Sequence, residues 1–86
     1  ESTLAAMAAY ALREAFAHGL LDAEVHGAME AKARAAMHRE VGAGGGLKLV
    51  SDATPIGALA TYATRPFGVF PWGQGPLLLA LCQELP

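Results

Sequence analysis

The chain has 86 residues, 16% of them charged, with a net charge of −2. That length admits one domain, and that charge excludes a basic surface able to neutralise a row of phosphates, so nucleic acid is not an expected partner. One cysteine, Cys82, excludes an internal disulfide and fits a reducing, cytoplasmic setting.

The three histidines, His18, His26 and His38, do not fall at the spacing that would put two imidazoles on one helical face. No metal or other cofactor is therefore expected. Hydrophobic residues make up 53% of the chain, but many are alanines of small area. The longest strongly apolar run, Leu77–Cys82, is too short to span a bilayer, so a membrane is not expected either. The start at Glu1 carries neither an initiator methionine nor a basic region followed by an apolar one, and it reads as the interior of something longer.

Residues 3–18 read as a helix, with Ser2 or Thr3 as the hydroxyl cap. Leu4, Ala8, Ala11 and Ala15 form one row, and Ala5, Ala9, Leu12 and Phe16 form another. A helix so nearly apolar all round is normally buried all round. Gly19 is placed to end it in the left-handed conformation. Asp22 caps a second helix over residues 23–41, whose Val25, Met29, Ala33, Met37 and Val41 form a single apolar stripe. Glu30 and Arg34 lie away from that stripe, where they can pair at i,i+4 for a few tenths of a kcal/mol. The short turn between the two makes them antiparallel neighbours.

The run GAGGG at 42–46 follows a helix and opens an extended segment. A phosphate loop has the reverse order, so this is a flexible turn. Residues 47–75 show no sustained period. Leu47–Val50 suits a short strand, Ile56–Tyr62 a turn or two of helix, and prolines at 55, 66 and 71 limit anything longer. Pro76 then suits the first position of a third helix, capped by Gly75 or Gln74, with leucines pointing in every direction. The fold class expected is all-α: a helical hairpin, a long loop and one further helix. Three helices cannot surround two of their own number, so the faces call for partners, either the rest of a larger helical protein or further copies of the chain.

Three stretches carry a family likeness: Glu1-Ser2-Thr3 with Ala6-Met7, His18-Gly19-Leu20-Leu21-Asp22 at the helix turn, and Trp72-Gly73-Gln74-Gly75-Pro76-Leu77-Leu78-Leu79-Ala80-Leu81. Over nearly all its length the chain resembles the C-terminal part of the unsaturated rhamnogalacturonyl and glucuronyl hydrolases, glycoside hydrolase families 88 and 105. The resemblance implies that residues 1–86 are part of an (α/α)6 barrel, six inner helices ringed by six outer ones, with a cleft at one end. It implies an oligosaccharide substrate whose terminal uronate has a C4–C5 double bond, hydrated with the help of an aspartic acid.

That acid is not expected among these residues. Asp22 is better explained as a helix cap and Asp52 as a loop residue. What the resemblance leaves here is cleft wall: Trp72 as a face for a sugar ring, Gln74 as a hydroxyl partner, Glu1 at a helix mouth, and Arg65 as a cation for the uronate. Each has a plainer reading. Trp72 can plug the barrel end, Gln74 can cap its helix and Arg65 can stay at the surface. The competing account of the whole chain is a small self-associating helical module without enzymatic activity.

Overall fold

The computed structural model describes all 86 residues. Helices α1 (Ser2–Ala17), α2 (Ala23–Arg39), α3 (Leu59–Ala63) and α4 (Pro71–Cys82) take up 58% of the chain. Two-residue strands β1 (Val50–Ser51) and β2 (Phe67–Gly68) pair antiparallel, with Val50 opposite Gly68 and Ser51 opposite Phe67. The fold is thus predominantly helical, as expected, and the long connection is organised by that small sheet.

α1 begins one residue earlier than expected, because its cap is Glu1. The Glu1 carboxylate accepts from the Thr3 backbone N–H at 3.2 Å, and Ser2 and Thr3 are already helical and buried. At the other end Gly19 takes φ +69° as its position requires. The Leu20 N–H reaches the Ala15 carbonyl at 2.8 Å and the Gly19 N–H reaches Phe16, so the orphan carbonyls of the last turn are used. Asp22 caps α2 by accepting from the Glu24 N–H at 2.9 Å.

α2 runs antiparallel to α1, with Glu30 opposite Arg13 and Arg34 opposite Ala9. α4 lies parallel to α1. Near their starts Gly73 meets Thr3, and near their ends the Gln83 amide donates to the Tyr10 carbonyl at 3.0 Å. The molecule is a slab, 40 × 30 × 17 Å. Its core is a narrow seam of Ala6, Met37, Leu47, Val50, Leu77 and Ala80. Leu4 and Met7 of α1, and Leu78 and Leu79 of α4, stand exposed. The all-round burial expected of these helices is not achieved within one chain.

Only the C-terminal end of the apolar stripe of α2, Met37 and Val41, reaches the core. Val25 and Met29 are exposed, and the residues turned inward are Glu30, Arg34 and Met37. A row at every fourth position advances about 40° per step on a helix of 3.6 residues per turn, so over four steps it winds off the core. Positions 30, 34 and 37 stay together, and the pair expected in solvent sits inside.

The Arg34 side chain joins the three long helices. Its Nε donates to Glu30 Oε1 at 2.6 Å; Nη1 donates to the Ala80 carbonyl at 2.9 Å and to Glu84 at 2.6 Å; Nη2 donates to Gln83 Oε1 at 2.7 Å and to the Ala9 carbonyl at 3.3 Å. Arg13 holds Glu30 from α1, and His38 holds Glu84 from α2. Burial alone would lower the Arg34 pKa, but the carboxylates of Glu30 and Glu84 raise it above the ordinary arginine value. Burial pushes the Glu84 carboxyl up, yet hydrogen bonds from Arg34 and His38 outweigh it and hold it below the ordinary value.

α4 starts at Pro71 with Phe70 as its cap, five residues before the expected Pro76. Pro76 lies inside the helix and, lacking an N–H, gives nothing to the Trp72 carbonyl. Tertiary contact fixes that first turn. Gly73 is buried where a Cβ would lie 2.5 Å from Val50 Cγ2 and 3.2 Å from Thr3 Oγ1, so only glycine allows α4 to approach so closely.

Two stability measurements test this packing. Arg34→Met is expected to lower unfolding stability by about 3–5 kcal/mol, since Glu30 is left buried with a weaker partner; Arg34→Lys does not restore it, because an ammonium has three donors where the guanidinium makes five hydrogen bonds. Gly73→Ala is expected to cost about 1–3 kcal/mol by overpacking, whereas Gly75→Ala, with nothing within 4 Å, stabilises by up to about 1 kcal/mol through helix propensity. Equal effects at Gly73 and Gly75 would contradict the close approach.

Candidate functional site

Parallel packing brings the starts of α1 and α4 to the same end of the slab, and the sheet and the glycine turn join them there. Three of the four expected site residues, Glu1, Trp72 and Gln74, are tied to this end by hydrogen bonds, and Arg65 lies beside it at the far side of the β1–β2 pair.

Glu1 bridges two segments. Besides Thr3, its Oε1 accepts from the Ser51 N–H of β1 at 3.2 Å. Burial pushes this carboxyl up, but the backbone N–H groups of Thr3 and Ser51 outweigh it and hold it below the ordinary value. The Ser2 N–H donates to the Leu49 carbonyl at 3.0 Å, and Leu49 takes φ +59°, a left-handed conformation unusual for a branched apolar residue. The strained residue thus delivers its carbonyl to the first turn of α1.

Trp72 is held at its edge and free on one face. Its Nε1 donates to the Ser51 carbonyl at 2.9 Å. The Phe70 ring stacks on it with centroids 4.9 Å apart and planes 6° apart. The residue stays 46% exposed, which leaves indole surface open, and the Ser51 that accepts from it also donates its N–H to Glu1.

Gln74 has both ends of its amide engaged: Oε1 accepts from the Leu47 N–H at 3.0 Å, and Nε2 donates to the Gly45 carbonyl at 2.8 Å. It pins the glycine turn, which closes through Gly42 and Gly46 and takes φ +87° at Gly45. Arg65 faces Asp52, with Nη2 3.5 Å from Oδ2, so Asp52 is an ion-pair partner rather than a free loop carboxylate. Asp22 caps α2 in the turn that follows α1, at the end of that helix remote from Trp72. No three His, Cys, Asp or Glu side chains gather as a metal site.

Two surface hollows adjoin Glu1. One, of about 190 Å³, lies among Ser2, Ala5, Arg39, Glu40 and Leu49. The other is an apolar groove of about 400 Å³ between α1 and α2, lined by Leu4, Ala8, Met29 and Ala33. Sequence reading missed this groove and the bridging role of Glu1. The groove depends on which flank α4 occupies, and the Glu1–Ser51 contact joins residues fifty positions apart. No protein family, curated protein or solved structure matches the chain. No helix is long and apolar enough to cross a membrane.

Because the folded-state pKa of Glu1 is depressed, its contribution is complete above the unfolded value and is lost as pH falls through the folded one. The amide protons of Thr3 and Ser51 are expected to titrate together in NMR spectra, with a midpoint below the ordinary 4.5. Glu1→Gln should abolish that step. Separate midpoints for the two amides would show that one carboxylate does not hold both.

Proposed function

We propose that the chain is a sector of a glycoside hydrolase domain, the C-terminal part of an (α/α)6 barrel that acts on oligosaccharides ending in an unsaturated uronate. In this reading it supplies cleft wall and not the catalytic acid. The observation that carries the proposal is the helix arrangement. α1 and α4 are parallel, α2 returns antiparallel against α1, and the connection after α2 brings the chain back to the end where α1 began. An inner–outer–inner sequence of barrel helices has that order. The apolar groove on the flank of α1 away from α4 supports the reading, since a preceding pair of helices would fill it.

The chemistry assigned to this end is binding. The open face of Trp72 offers apolar contact to a sugar ring. The N-terminal ends of α1 and α4 provide partial positive charge for a uronate carboxylate. Arg65 lies near the same wall, although Asp52 already pairs with it. Hydration of the C4–C5 double bond needs an acid that protonates the vinyl ether and then activates water; neither Asp22 nor Asp52 is free for that task, so the remainder of the barrel provides it.

The exposed Leu4, Met7, Leu78 and Leu79 favour a second reading, a self-associating helical module without activity. One experiment separates the two. Trp72 is the only tryptophan of these 86 residues, and the difference in fluorescence between the full polypeptide and its Trp72→Phe variant isolates the signal of this site. Titration of the full polypeptide with a 4,5-unsaturated uronyl disaccharide is expected to change that signal, and Phe70→Ala, which removes the stacked support, is expected to weaken binding about tenfold. A signal that ignores the sugar but depends on protein concentration would overturn the hydrolase reading in favour of self-association.

A further inference from the structure

Residues 53–64, between β1 and β2, pack on almost nothing. Every one is exposed except Thr61, which is half-buried, and none joins the core. From Ile56 onward their hydrogen bonds are internal: Gly57 N–H to Tyr62 Oη at 3.0 Å, Thr61 N–H to the Ala58 carbonyl at 2.9 Å, and Thr64 Oγ1 to the Ala60 carbonyl at 2.7 Å. The segment is therefore a small body of its own, built around α3.

Its attachment is narrow and firm. The Asp52 N–H donates to the Pro66 carbonyl at 2.9 Å, Asp52 pairs with Arg65, and the β1–β2 ladder lies immediately behind. From the arm itself only Ala53 and Thr54 reach the root, both to Asp52. An element with internal order, a two-point root and no buried side chains belongs to the low-stability end of a structure, where local motion is inexpensive. Its tip is apolar: Ile56 is fully exposed and Leu59 is 84% exposed.

The root also holds the indole. Trp72 Nε1 is bonded to the Ser51 carbonyl, one residue before Asp52, so the arm and the open face of Trp72 hang from one anchor. We propose that residues 53–64 are a lid that swings about this root and closes over Trp72 when a sugar is seated there, with Ile56 and Leu59 covering the ring. The inference rests on the carbohydrate reading given above. Closure would exclude water from the bound uronate and bury the two apolar side chains against ring carbons and indole.

The test uses chymotrypsin, which can cut the arm after Leu59 or Tyr62, with sites mapped by mass. Saturating 4,5-unsaturated uronyl disaccharide is expected to slow those cuts by about tenfold or more, because cleavage follows the open population. Ile56→Ser with Leu59→Ser is expected to leave the melting temperature unchanged and to weaken the Trp72 response to the sugar. A normal Trp72 response with no protection of the arm would overturn the lid and leave the binding site standing. A lowered melting temperature in the double variant would also overturn the lid, by placing those side chains in a packed interface. No Trp72 response in the unmodified chain would overturn the lid and the carbohydrate reading together.

Discussion

The guanidinium of Arg34 is the point on which the three long helices depend. It is buried, it lies on the only helix antiparallel to the other two, and its donors reach carbonyls or side chains on both. α4 has no residue after Cys82 to satisfy its Ala80 carbonyl, because the Glu84 N–H turns to Leu81. Arg34 takes that carbonyl and so serves as the C-terminal cap of α4. An arginine suits the place because its fork stays charged and presents donors in fixed directions. The surrounding carboxylates, Glu30 and Glu84, neutralise it, and Arg13 and His38 tie those carboxylates back to the helices.

This clasp explains the slab. Two parallel helices meet at one end through Gly73, Val50 and Thr3, and at the other through Arg34 and Gln83. Between those ends the seam is built from alanines and a few large side chains, so the helices lie close and the layer stays thin. A thin layer has two broad faces, and here the apolar residues Leu4, Met7, Leu78 and Leu79 remain uncovered. The proposed barrel and the self-associating alternative are both answers to that one fact. The barrel reading also accounts for the gathering of Glu1, Trp72 and the lid-like arm at the end where the inner helices begin.

Much of the local structure was legible in the sequence for local reasons. Asp22 as cap, Gly19 as left-handed stop, the antiparallel hairpin and the glycine turn all follow from residues within a few positions of one another. The failures were long-range. Glu30 and Arg34 read as a surface pair because nothing nearby announces that Ala80 and Glu84 will converge on them. Pro76 read as a helix start because the contact that makes Trp72–Gly75 helical comes from Val50 and Thr3. Gln74 read as a cap or a ligand, while its amide spans to the backbone of residues 45 and 47. The bridge from Glu1 to Ser51 was equally hidden, since it joins residues fifty positions apart.

The claim that the slab is one sector of a larger barrel is tested most directly by the intact mass of the native polypeptide that carries this sequence. The account predicts a mass several times the 8.9 kDa of these residues, enough to supply the helices that cover the groove between α1 and α2. A native polypeptide of 8.9 kDa would contradict it, and a second copy of the chain would then have to cover those faces.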